Sequence, residues 1–231
     1  MGAVAVVTLM SIVTTGVALA ASRARSLHRL GGAWAAGLAA AVMLWVSLVE
    51  IAPGAVADLG AGPAVATMAA GAGAVAVLSR LGHQRLPIAG VGPVLGMALV
   101  VHDLPEGFAL GAIVAAGGLA AATPAIAALA LHNIPEKLAF FTADTRATLP
   151  TWPLVAAATV PEPLGALAAV AGAASPGLLT AATAAAGGMM AAVALGTLPE
   201  VARQAQAMRS FMAAGTAGTT LMAGLALVLA V

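Results

Sequence analysis

Two short segments carry the residues best suited to chemistry: His102-Asp103-Leu104-Pro105-Glu106-Gly107 and His132-Asn133-Ile134-Pro135-Glu136-Lys137. In each, an imidazole and a carboxylate stand four residues apart, with a proline between them, inside an otherwise apolar stretch. Positions i and i+4 share a helix face, so His102 with Glu106 and His132 with Glu136 each form a pair of ligands for a divalent metal. Asp103 and Asn133 follow their histidines and lie about 100° round the helix, where they could serve a second position beside the first. Glu162 adds a further acid, so Asp103, Glu106, Glu136 and Glu162 bring four potential negative charges to one depth, with no arginine near them. Left ionised and unpaired in an apolar medium, each would cost several kcal/mol. Either they protonate or divalent cations neutralise them. Imidazole and carboxylate without thiolate suit Zn²⁺, Fe²⁺, Mn²⁺, Co²⁺ or Ni²⁺ better than Cu⁺ or Ca²⁺.

The prolines belong to the same pattern. Pro105 has no N–H to offer the carbonyl of Val101, and Pro135 has none for Leu131. A freed carbonyl in a bilayer needs a neighbour, water or an ion, and each proline is expected to kink its helix beside the ligands. The plainer alternative, a hydrogen-bond network that only holds helices together, normally uses Ser, Thr, Asn or Gln. Four carboxylates and two histidines exceed that need.

The elements that must position these residues follow from composition. The chain has 231 residues, 62% hydrophobic and 7% charged, with mean hydropathy +1.07. Soluble domains carry about 25% charge, so lipid is the expected solvent. The 27 glycines suit close helix packing. Absence of cysteine excludes disulfides and thiolate metal sites. A net charge of +1 argues against nucleic acid as a partner. The apolar run from Gly2 to Ala21 is followed, not preceded, by Arg23, Arg25 and Arg29, which favours a first membrane helix over a signal peptide.

A crossing needs about 20 apolar residues. The pattern predicts one all-α membrane domain over residues 1–231, with eight transmembrane helices near 2–22, 31–53, 63–80, 90–116, 124–144, 152–173, 178–200 and 210–231. With eight helices every arginine falls in an odd-numbered connection, so both termini are expected outside the cytoplasm. His102 to Glu106, His132 to Glu136 and Glu162 then lie halfway through helices 4, 5 and 6, at the bilayer midplane. Glu50 comes near the outer mouth and Glu200 near the inner one. His28 and His83 fall in the basic connections and are expected to be solvated.

These residues resemble the ZIP (Zrt-, Irt-like protein) family of divalent metal transporters, and in particular its bacterial type of broad specificity. The likeness rests on the two H-x-x-P-E motifs, on Glu162-Pro163-Leu164-Gly165-Ala166 and on Gly37 to Pro53 with Met43, Ser47 and Glu50. It implies a metal site between helices 2, 4, 5 and 6 in a bacterial inner membrane. His102, Glu106, His132 and Glu136 would hold one metal, with Met43 as a soft ligand or as core filler. Asp103, Asn133 and Glu162 would hold a second, with Glu106 and Glu136 bridging. One helix bundle would shift against another to expose the site alternately. Three positions depart from the family pattern: Asp103 replaces asparagine, Lys137 replaces glycine, and Val160-Pro161 replaces small polar residues. Lys137 either compensates Asp103 as a tethered cation, leaving one transported metal, or snorkels toward the inner surface.

The expected function is a secondary transporter moving divalent transition metal, Zn²⁺ first, toward the cytoplasm. No permanent cofactor is implied, because the ion is the substrate. The expected partners are the metal and the bilayer, with a homodimer left open. No Walker or aspartyl-phosphate motif is present, so ATP does not drive it. The chain is not read as an enzyme: an intramembrane zinc hydrolase or protease would commonly show H-E-x-x-H, which is absent. An exporter, or a metal sensor without transport, is the other alternative.

Overall fold

The computed structural model describes residues 2–23, 30–85, 91–143, 151–172 and 176–229, and every regular element among them is helical. A chain this apolar has few side chains to satisfy its backbone, and a helix pairs each N–H and C=O within its own segment. Helix α1 is Gly2–Ser22. Helix α2, residues 30–59, runs from Leu30–Trp45 through a π turn at Val46–Ile51 into Ala52–Leu59, and stops at Gly60 with φ 85°. Helix α3 is Ala61–Arg85.

The next helical stretch, Val91–Ala143, is 53 residues long and breaks at Gly118, whose φ of 73° and ψ of −177° suit glycine alone. Straight, it would hold Glu106 and His132 about 39 Å apart. Their side chains instead meet at 3.3 Å, so Gly118 folds the stretch into two rods, α4 (91–117) and α5 (119–143). The connection expected between helices 4 and 5 shrinks to one residue. Within this stretch Gly118 is where the backbone leaves helical geometry, and Pro105 and Pro135 lie inside the helical rods on either side of it.

Helix α6 (151–172) consists of Thr151–Thr159 and Pro161–Gly172, with a bend at Val160. Helix α7 (176–204) runs from Pro176–Ala192 through a second π turn, Val193–Thr197, into Leu198–Gln204. Both π turns end two residues before a proline, Pro53 and Pro199. A proline cannot donate and crowds the carbonyl four residues back, and a wider turn relieves that crowding. Helix α8 is Met208–Leu229.

Among the described residues six helices are long and apolar enough to cross a bilayer: Gly2–Ser22, Gly31–Leu59, Ala61–Leu81, Trp152–Ala171, Gly177–Arg203 and Met208–Leu227. The protein is an all-α integral membrane protein. Rods α4 and α5, which carry the polar residues, are not among the six.

Packing divides the helices into two groups. Helix α1 lies on the α4–α5 hairpin and on α6, while α3 and α8 lie on α7 and α2 respectively. The groups meet where the hairpin packs against α2 and α7. One apolar core spans that junction, with Met43 and Val46 from α2, Leu99 from α4, Phe140 and Phe141 from α5, and Val193 and Leu198 from α7. A second core joins Val7 and Met10 to Leu110, Val114 and Ala166 within the first group. Between α4 and α6 the backbones touch: a Cβ at Gly107 would overlap the Glu162 carbonyl, and one at Gly165 would overlap the Leu104 carbonyl. Small residues permit such approach between helices in lipid, and here the approach brings α6 onto the polar face of α4.

Candidate metal centre

The buried charged and polar residues gather where α4, α5 and α6 meet. Asp103, His132, Asn133, Glu136, Lys137 and Glu162 are fully buried, and Glu106 is 5% exposed. The hairpin at Gly118 sets the pairing of the two motifs. His132 reaches across to α4, with Nε2 3.3 Å from Glu106 Oε1 and 3.4 Å from Oε2. The relationship is between rods, where the i, i+4 spacing had suggested ligand pairs within one helix.

The other ring nitrogen decides the chemistry of this contact. His132 Nδ1 lies 3.1 Å from the Ala128 carbonyl of its own helix. A carbonyl only accepts, so Nδ1 must carry the proton and donate. In a neutral ring Nε2 is then an acceptor, and it faces a carboxylate, which in its ionised form also only accepts. A proton or a metal ion must lie between them. Zinc–nitrogen and zinc–oxygen bonds of about 2.0–2.1 Å at a tetrahedral angle put two ligand atoms about 3.3–3.4 Å apart, so the spacing fits a shared metal. The Ala128 carbonyl supplies the kind of outer contact that would fix which nitrogen faces a metal.

Glu162 is delivered by a broken helix. Pro161 and Pro163 flank it, and neither can donate to the carbonyl four residues earlier. Ser11 of α1 donates to the Thr159 carbonyl, which Pro163 leaves without a partner, at 3.0 Å, and Thr15 donates to the Ala158 carbonyl at 2.8 Å. The restart at Pro161 places Glu162 in the first turn of its helical segment. Its Oε1 accepts from Lys137 Nζ at 2.5 Å and from Asn133 Nδ2 at 3.2 Å. Lys137 Nζ also donates to Thr14 Oγ1 at 3.2 Å. The ammonium does not snorkel: it is fully buried. Its direct partner is Glu162, while Asp103, the partner expected from the sequence, and Glu136 act on it electrostatically.

A cavity of about 360 Å³ leads to this cluster along the junction of the two helix groups. Each wall follows helical spacing: Val46, Glu50, Gly54 and Asp58 from α2, Glu106, Ala109, Leu110 and Ile113 from α4, Ala125, Ala128, Leu129 and His132 from α5. Helix α7 closes it with Leu179, Thr180, Thr183, Ala184, Ala186 and Met190. Its deep end is Glu106 and His132. Its mouth holds Glu50 and Asp58, the latter accepting from Thr180 at 3.1 Å. On the opposite side of the cluster the groups are sealed by apolar packing around Leu99, Phe140, Phe141, Val193 and Leu198.

Other expected residues sit apart. The backbone at His102 is helical, but its side chain lies outside the described residues, as do those of His28 and His83. Met43 is buried in the apolar core, and Met190 lines the cavity. Glu200 pairs with Arg203 at 2.7 Å, both partly exposed, in the first turn of its helical segment. Among the described residues no three His, Asp or Glu side chains form a ready metal cage. Sequence reasoning missed the hydroxyl stripe Ser11, Thr14 and Thr15, which is buried against α6 and Lys137. Its i, i+3, i+4 spacing in an apolar helix was the available signal. It also passed over Thr180 and Thr183 and gave Asp58 no role.

No protein-family model and no curated protein matches the chain. The likeness to the ZIP family therefore rests on the motif residues themselves.

Proposed function

We propose that the protein is a secondary carrier for divalent transition-metal ions, Zn²⁺ foremost, in a bacterial inner membrane. The observation that carries this reading is the His132–Glu106 contact, at the end of a cavity with Glu50 and Asp58 at its mouth. There a ring nitrogen and a carboxylate stand 3.3 Å apart, a spacing that a shared metal ion or proton would bridge. With α4 and α5 counted beside the six long apolar helices, the chain crosses eight times, both termini outside. The cavity mouth, at the ends of α2 and α4 and the starts of α5 and α7, then opens away from the cytoplasm.

An ion entering there meets Glu50 and Asp58, sheds water along the apolar walls, and reaches Glu106 and His132. Asp103 and Glu136, buried on the same two rods, would supply further oxygens to its shell. The division into two helix groups, open on one side of the cluster and sealed on the other, supports alternating access by movement of one group against its neighbour. Membrane potential, worth about 2.3 kcal/mol per charge per 100 mV, would favour inward movement of a cation.

The test is uptake into proteoliposomes containing a fluorescent metal indicator. Zn²⁺ enters with the wild-type chain and fails to enter with His132→Ala or Glu106→Gln. Peptide cleavage without metal flux would replace this reading with an intramembrane hydrolase, and metal binding without flux would replace it with a sensor.

A further inference from the structure

Lys137 has no evident task in a site built to attract cations. It is the largest fully buried side chain among the described residues, and burying an ammonium costs several kcal/mol unless it is paired and hydrogen-bonded. A simple apolar or glycine residue there would avoid that cost. The structure instead gives the ammonium a built seat. Glu162 Oε1 receives it at 2.5 Å, Thr14 Oγ1 at 3.2 Å, and Asn133 Nδ2 holds the same carboxylate oxygen from the other side. Two fully buried oxygens beside this seat, Asn133 Oδ1 and Glu162 Oε2, accept no hydrogen bond from any described residue.

Oxygen donors from an amide and a carboxylate, gathered round a positive charge, make the kind of shell that hard or borderline divalent ions accept. The cavity ends at Glu106 and His132 and does not reach Lys137. The ammonium lies one step behind the point where an entering ion stops.

We infer that Lys137 is a built-in cation filling a second position of the centre, so that the chain binds one divalent ion at a time, and that removing this charge converts the position into a second metal site. The inference deepens the transport reading and rests on it. The first ion would be held by Glu106 and His132. Asn133 and Glu162 would hold the second only when Lys137 is absent. A fixed charge of this kind also limits how strongly the centre attracts cations, so an ion can leave the carboxylates after it arrives.

The experiment measures Zn²⁺ and Mn²⁺ bound per chain, by elemental analysis and calorimetry, on purified wild type, Lys137→Met, Lys137→Arg and the double variant Lys137→Met/Glu162→Gln. One ion is expected on wild type and on Lys137→Arg, two on Lys137→Met, and one again on the double variant. One ion on both wild type and Lys137→Met overturns the inference alone, as do two on wild type. None on wild type overturns the transport reading as well. Should Lys137→Met fold poorly without metal, its melting temperature is followed with rising Zn²⁺. A larger rise than wild type shows supports the inference. No rise, while the double variant stays folded, overturns it.

Discussion

Gly107 of α4 lies so close to the carbonyl of Glu162 on α6 that a Cβ would overlap it. The proposed metal centre depends on that approach, because it brings the acid of a third helix within reach of the α4–α5 hairpin. Gly107→Ala is therefore expected to push α6 away, at about 1–3 kcal/mol for overpacking. Part of that loss should appear as weaker metal binding. Thermal unfolding and Zn²⁺ titration in the same detergent check both. Unchanged binding in a destabilised variant would show that the centre does not need α6.

Ligand removal should be severe and specific. His132→Ala and Glu106→Gln each leave one acceptor without its shared ion, and affinity is expected to fall at least about 100-fold, beyond what loss of an outer contact causes. Calorimetry on the purified variants measures it directly. A His132→Ala chain that binds Zn²⁺ normally would remove the basis of the proposed function.

The buried Lys137–Glu162 pair should be costly to break from one side. Glu162→Ala leaves an ammonium without its direct partner and is expected to destabilise the protein by about 3–5 kcal/mol. Lys137→Met/Glu162→Gln removes both charges and should recover most of that loss. A double-variant melting series makes the comparison.

The chain contains no cysteine, so single introduced thiols report accessibility without background. Thr183→Cys and Ala125→Cys line the cavity, and Ala139→Cys sits in the sealed apolar core. A membrane-impermeant thiol reagent added outside should modify the first two about tenfold faster than the third. Modification of the first two only from the cytoplasmic face would reverse the proposed orientation.

Acid should weaken binding. Metal displaces protons from imidazole and carboxylate, and histidine ordinarily titrates near pH 6.5. Affinity is thus expected to hold at neutral pH and decline below about pH 6, where protons compete for the same lone pairs. Titrations from pH 7.5 to about 5 test this. A flat profile would argue against ligation by these groups.

Much of the buried polar cluster was legible before any coordinates. Histidine and carboxylate repeated at i, i+4 in apolar sequence declare a polar face at membrane depth, and the cost of burying charge explains why such residues cannot be incidental. Hydropathy declared a helical membrane protein for the same reason, since lipid leaves the backbone no partner but itself.

What only the tertiary structure decided is which groups meet. Spacing along one helix pairs His132 with Glu136, and the reversal of the chain at Gly118 adds the contact of His132 with Glu106 across the two rods. Lys137 looked free to reach a surface or Asp103, but the close packing of Gly107 and Gly165 delivers Glu162 to it. Asp58 and Thr183 carried no local mark of a pathway and became cavity wall through the packing of α2 and α7 on the hairpin. Periodicity reports the face a residue occupies on its own helix. Partners across helices depend on turns and on how closely two backbones can approach, and those are properties of the packed bundle.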